Sequence, residues 1–442
     1  KGAMQIGLVL FAATSVWAAF AGSAEGLIAA RAAMGIGAAL VFPATLAILS
    51  NVFTEPGERA KAIGIWSATS GLAVALGPVT GGWLLEHFWW GSVFLVNIPI
   101  ILVALPLGAW LLPSSKDPGA GRLDPIGLVS SVAAIALLVF TVIEAPHKGW
   151  TSIDTIAGFL AFAALFATFV WWERRRRDPM LDVTVFRNAR FSAASFSVAV
   201  AFFGLFGFIF LITQYFQFVR GYSTLEAGLH PLPFAFAAGI AAPIAARLAL
   251  RFGTTRVVAA GLASMSIGFA WASTLDVDTP YWSVIVPQMI FIAAGLTITT
   301  APSTEAILGS LPKEKAGVGS AVNDTTRELG GTLGVAVVGS VFSSLYGPRL
   351  VERLSGLPIP ADALAAARES VQAAAIVAER APAEGRQIIL DATRDAFMEG
   401  LHSGVRVAAV ATALGAIAAL VFLPARGVDL NAARPEDTTV DA

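Results

Sequence analysis

Gly71-Leu72-Ala73-Val74-Ala75-Leu76-Gly77-Pro78-Val79-Thr80-Gly81-Gly82 carries no charge, and within it Ala73, Gly77 and Gly81 recur at every fourth residue. That spacing places all three on one face of a helix. Small residues on one face let two helices approach closely in lipid, where burying apolar surface gains little. Pro78 removes one backbone hydrogen bond and bends such a helix. A tight helix crossing explains the spacing by itself, and the run sits inside a longer apolar segment, 61 to 85. The question it poses for the rest of the chain is whether lipid is the solvent throughout.

Composition points to lipid. The 442 residues are 56% hydrophobic and 13% charged, with a mean hydropathy of +0.73. A helix needs about 20 apolar residues to cross the hydrocarbon core, and only helices or closed barrels satisfy their backbone there. Working outward from 61 to 85, earlier spans are expected at 4 to 22 and 26 to 50, and later ones at 91 to 112, 125 to 145 and 153 to 173. Six more are expected at 191 to 218, 225 to 250, 256 to 275, 282 to 308, 317 to 345 and 403 to 424. The expected fold is an all-α polytopic membrane protein with twelve transmembrane helices.

Lys and Arg near span ends favour the cytoplasmic side. One set of alternate loops holds Arg59, Lys61, Lys116, Arg122, Arg174 to Arg177, Arg187, Arg190, Arg251, Arg256, Lys313 and Lys315. The other holds Lys148 and Arg220, joined by six Arg in the long segment 346 to 402. The excess predicts that both ends of the chain are cytoplasmic and that 346 to 402 is an external loop, with a short amphipathic helix around Ala361 to Arg380. A net charge of -1, and basic residues in loops rather than in a patch interleaved with aromatics, set nucleic acid aside.

The order of spans suggests a division into 1–112, a remnant of an N-terminal bundle with four spans; 113–190, two linking spans and a basic loop; 191–425, a six-span C-terminal bundle; and 426–442, a cytoplasmic tail. Two six-helix halves would require two more spans at the front, fourteen in all. Lys1-Gly2-Ala3-Met4 leads straight into a span without an initiating Met, so the chain is expected to begin inside a longer protein.

Several motifs resemble those of the major facilitator superfamily. Gly64, Ala73, Gly77-Pro78 and Gly81-Gly82 are similar to the antiporter motif of the fifth span in its exporters, with Ala73 where Gly is usual. Arg31-Ala32-Ala33-Met34-Gly35-Ile36-Gly37-Ala38-Ala39 resembles the fourth-span motif and departs from it at Met34, where Gln is common. Asn97-Ile98-Pro99, Gln214-Tyr215-Phe216-Gln217 with Gly221-Tyr222-Ser223, and Asn323-Asp324-Thr325-Thr326-Arg327-Glu328-Leu329-Gly330-Gly331 resemble the fourteen-span drug:proton antiporter branch. Arg251-Phe252-Gly253 with Arg256 is similar to a degenerate copy of the superfamily's cytoplasmic loop motif. The resemblance implies export of amphipathic drugs against protons, with Arg31 in proton coupling.

An ionisable residue inside a span costs several kcal/mol unless it is paired or faces water, which makes each one a candidate. Arg31, Asp324, Arg327 and Glu144 are the proton-coupling candidates. An Asp324–Arg327 pair at i, i+3 is expected, and Glu144 could instead meet a cationic drug in an outer vestibule or simply reach the interface. Gln214, Gln217, Tyr215, Asn323 and Phe206 are the substrate-binding candidates, since aromatic walls with a few polar groups suit bulky cations. Packing against lipid or protein explains the same aromatics.

No enzyme chemistry is indicated. His87, His147, His230 and His402 are too scattered for metal-ligand spacing. The lack of Cys excludes thiolate ligands and nucleophiles. No Gly-x-Ser-x-Gly or phosphate-cradling Gly-x-x-x-x-Gly-Lys occurs, so neither cofactor nor metal is implied and an ion gradient is the expected energy source. The partners implied are the bilayer, protons and a small amphipathic molecule; no outer-envelope efflux partner is legible. The reading is a proton-coupled secondary exporter in a bacterial plasma membrane. The alternatives are an exporter of an endogenous metabolite, siderophore or lipid, and a non-transporting fragment.

Overall fold

The computed structural model describes residues 1–53, 55–113, 124–176, 179–311, 316–357 and 359–424. Among these the chain forms α1 (Gly2–Ala19), α2 (Ala24–Val52), α3 (Pro56–His87), α4 (Ser92–Leu95), α5 (Asn97–Leu111), α6 (Pro125–Lys148), α7 (Ile153–Arg175) and α8 (Ala189–Gln214). It continues through α9 (Thr224–Leu229), α10 (Leu232–Phe252), α11 (Thr254–Ala272), α12 (Val286–Leu308), α13 (Ala316–Leu354), α14 (Ala361–Glu369), α15 (Val371–Arg380) and α16 (Ala383–Phe422). Eleven helical segments among the described residues are long and apolar enough to cross a membrane. The twelfth expected span falls in α3, where many side chains lie outside the description, as do residues 426–442. This is the architecture of a multi-pass helical membrane protein.

Helix starts follow local chemistry. Ser23 accepts from the Gly26 N–H at the head of α2 (3.1 Å), and Ser152 does so from Thr155 at the head of α7 (3.2 Å). Asn188 accepts from Arg190 and Phe191 at the head of α8. Each satisfies an N–H that the helix itself leaves orphaned.

The helices gather into two compact units, one of Lys1–Gly121 with Tyr222–Ala235, the other of Arg122–Gly221 with Phe236–Ala442. In the first unit α1 and α2 cross where a Cβ on Gly7 would lie 2.9 Å from the Gly37 carbonyl. In the second, α8 is buried along much of its length, with Phe191, Val198, Leu205, Phe208 and Leu211 all inside. There α11 and α12 meet backbone to backbone at Gly261, whose Cβ would lie 2.7 Å from the Gly295 carbonyl.

α13 and α16 are 39 and 40 residues long. At 1.5 Å per residue each reaches about 60 Å, against a hydrocarbon core of about 30 Å. The excess carries a charged network. Arg353 bridges Asp395 and Glu399, both at 2.7 Å, and Arg349 bridges Glu352 and Glu399, both at 2.9 Å. Segment 346–402 is therefore helical through most of its length rather than a loop around one short helix: α13 continues to Leu354, α14 and α15 occupy most of 361–380, and α16 starts at Ala383. The physical reason is that charge ends a lipid span but not a helix. Ala, Leu, Arg and Glu are strong helix formers, and i, i+3 pairs such as Arg349 with Glu352 reward the conformation.

Candidate functional site

In the first unit, the helix that holds the antiporter-like motif makes its close contact one stripe away from the expected face. A Cβ on Gly82 would collide with the Thr224 carbonyl of α9 and lie 2.9 Å from the Leu225 Cα, and a Cβ on Gly228 would collide with the Pro78 carbonyl. Gly77 and Gly81, by contrast, have no atom within 4 Å of a Cβ placed there, and Ala73 and Gly77 are exposed. Gly64 lies in α3 among residues whose surroundings are outside the description. Polar bonds fasten the same contact: Thr224 donates to the Gly82 carbonyl (3.1 Å), and Ser223 Oγ and the Leu225 N–H both donate to Glu86 (3.2 Å each).

Arg31 lies seven residues past the first residue of α2 and is exposed. Its guanidinium sits 6.0 Å from the centre of the Phe94 ring, which is within reach of a cation–π attraction.

In the second unit, the polar stretch of α13 spreads over two faces. Asn323 is buried and its Oδ1 accepts from Thr304 of α12 (3.1 Å). Asp324 and Arg327 remain 34% and 44% exposed, with their nearest charged atoms 4.0 Å apart. The Arg327 guanidinium lies over the Phe202 ring at 4.7 Å, and Phe202 in turn meets Phe206 with ring centroids 6.1 Å apart. Two turns further along α13 the helices α8 and α13 nearly touch, because a Cβ on Gly334 would collide with the Phe203 carbonyl. The glycine crossing thus sets how far Arg327 stands from Phe202.

The remaining candidates divide by burial. Tyr215 is fully buried and donates to the Asp276 carbonyl (2.8 Å), a bond that fixes the end of α8. Gln214 donates back to the Phe210 carbonyl (3.0 Å). Gln217, in the π turn after α8, is half-buried. Phe206 is exposed on one side and lies against α13 at Gly331 on the other. Glu144 pairs with Lys148 one turn later (3.7 Å). Thus Asp324, Arg327 and Phe206 share one neighbourhood with Phe202, while Tyr215 and Asn323 are committed to packing. Among the described residues no three His, Asp or Glu group to hold a metal.

The sequence reading passed over one polar cluster in the second unit. Asp124, immediately before α6, accepts from the Gly127 N–H (3.0 Å), from the Trp172 indole (3.1 Å to each oxygen) and from Arg176 (3.1 Å). Burial works against its charge, but the Gly127 N–H, Trp172 and Arg176 outweigh that and hold its carboxyl below the usual aspartate range. Beside it lies Glu173, buried near the end of α7. The legible signals were Asp-Pro at a helix start and a Glu heading an arginine run.

The family model described as Major Facilitator Superfamily matches residues 1–335. The chain is 37% identical to the multidrug efflux pump LfrA of Mycolicibacterium smegmatis, over 92% of this chain and 80% of that protein. It is 31% identical to the tetracenomycin C resistance and export protein of Streptomyces glaucescens, over 99% of this chain and 81% of that protein. In fold it is similar to a bacterial homolog of the human lysosomal transporter Spinster, crystallised in an inward-facing and unoccupied conformation. The TM-score is 0.62 at 19% identity, over 95% of this chain and 83% of that one. By sequence and by fold, the chain belongs to the major facilitator superfamily.

Proposed function

We propose that this chain is a secondary exporter that moves amphipathic drugs or related toxic compounds out of the cell in exchange for protons, as one of the superfamily's fourteen-span drug:proton antiporters. The observation that carries this reading is the exposed pair Asp324 and Arg327 on α13, beside the aromatic rings of Phe202 and Phe206. Charges on a span cost several kcal/mol in lipid, so this face is read as lining a watered path. The aromatic rings offer a cationic amphiphile stacking and cation–π contact. Likeness to a multidrug efflux pump supports the cargo class. Arg31, Glu144 and the antiporter-like motif of α3 are assigned to coupling and to helix rocking, Gln214 and Gln217 to the polar part of the drug site. The basic loops support a plasma-membrane protein with both ends of this chain cytoplasmic.

A second reading, export of a compound the cell itself makes, is favoured by likeness to a protein named for both resistance and export of tetracenomycin C. A dye-efflux assay in cells expressing the protein tests the main reading. Efflux that stops when a protonophore is added supports it; efflux indifferent to the protonophore removes proton coupling. Unchanged drug sensitivity in a deletion strain that no longer secretes one of its own products would favour the second reading.

A further inference from the structure

Glu173 is 2% exposed. Its Oε2 accepts from the Leu181 N–H (3.0 Å), yet its Oε1 is buried with no hydrogen-bond partner. That oxygen faces Gly127 of α6, close enough to collide with any Cβ placed there. Asp124 Oδ2 lies 2.7 Å from the same point. Two carboxyl groups, both buried, therefore converge on one glycine, where a side chain on residue 127 would have separated them.

Two ionised carboxylates cannot share such a space without strong repulsion, and one proton between them removes it. The donors decide which group keeps the charge. Asp124 has Arg176, the Trp172 indole and the Gly127 N–H. Glu173 has only backbone donors on one oxygen and nothing on the other. The charged groups facing Glu173 among the described residues are Asp124 and, through it, Arg176.

We propose that Glu173 carries a proton on Oε1 and donates it to Asp124, so that the junction of α6 and α7 is a proton-binding site. The ligand is a single proton, held as a carboxylic acid against a carboxylate. Its release to water leaves two like charges facing each other and loosens the end of α7, with the Leu181 backbone attached to it, from the head of α6. This goes beyond the exporter reading and does not depend on it, because its readout is a protonation state rather than transport.

The test is infrared spectroscopy of the purified full chain in lipid nanodiscs, titrated with pH. The wild type should show the carbonyl absorption of a protonated carboxylic acid at neutral pH, lost as the pH is raised. Glu173→Gln keeps the shape and the hydrogen bond to Asp124 and should lack that absorption. Asp124→Asn offers an amide donor to Glu173, lets it ionise, and should lose the absorption at neutral pH. A group that holds its proton in the folded protein and gives it up when unfolded contributes stability that is lost as pH rises. The wild-type melting temperature should accordingly drop toward alkaline pH, and that of Glu173→Gln should not. A protonated-acid absorption absent from the wild type, or unchanged in both variants, would overturn the proposal.

Discussion

Pro78 of α3 turns its carbonyl onto Gly228 of α9, and no side chain fits between them. The proline matters here twice. Its ring leaves one carbonyl of α3 without the usual N–H partner, and it sits four residues before Gly82, so the two form a stripe against which α9 lies. Overpacking a close helix contact costs about 1–3 kcal/mol. Gly228→Ala should therefore lower the melting temperature of the detergent-purified protein, while Gly77→Ala, with open space around it, should leave it unchanged or raise it slightly through helix propensity. Equal losses in the two variants would contradict the stripe assigned here.

On α13, the arginine that lies over Phe202 is planar and keeps its charge, and lysine reproduces only the charge. Arg327→Ala should reduce dye efflux by about tenfold or more, a loss of about 1.4 kcal/mol of barrier stabilisation, with Arg327→Lys in between and expression of both near wild type. Efflux by Arg327→Ala at the full rate would take this face of α13 out of the mechanism.

The charged network on the overrun of α13 and α16 is exposed, and such pairs contribute about 0.2–1 kcal/mol each. Arg353→Ala, which removes the pairs to Asp395 and Glu399, should cost about 1 kcal/mol at low salt. That cost should shrink at about 1 M salt, where the screening length is about 3 Å. A loss of several kcal/mol that is indifferent to salt would mean that the network is buried in an assembly.

Asp124 is held below the usual aspartate range by Gly127, Trp172 and Arg176 in spite of its burial. Its contribution to stability is complete above the unfolded value of about 3.9 and is lost as pH falls toward the lower folded value. Thermal melts should show the wild type losing stability in that acid window. Asp124→Asn should start lower at neutral pH and change less across the same window.

Much of the fold could be read before any coordinates. Apolar length marks spans because lipid demands it, and eleven of the expected segments coincide with helices able to cross a membrane. What the sequence misplaced was helix continuation outside the lipid. Arg349 and Glu399 end the hydrophobic signal but pair with each other across α13 and α16, a relation between residues fifty positions apart that no local pattern encodes. The α3 contact stripe was missed for a similar reason: a four-residue repeat runs through Ala73, Gly77 and Gly81, but Pro78 and Gly82 repeat too, and only the position of α9 chooses between them. At the candidate site, the Asp324–Arg327 proximity was legible as an i, i+3 spacing. The burial of Tyr215 and Asn323 was not, because their partners, Asp276 and Thr304, come from other helices.

Transport by the purified protein in sealed liposomes, with a lumen more acidic than the bath, tests the exporter reading most directly. The probe is a fluorescent dye bearing a permanent quaternary ammonium, which cannot be trapped by simple protonation. The account predicts dye accumulation driven by the outward proton gradient and abolished when that gradient is collapsed. Dye entry no faster than into protein-free liposomes, or unaffected by the gradient, would contradict it.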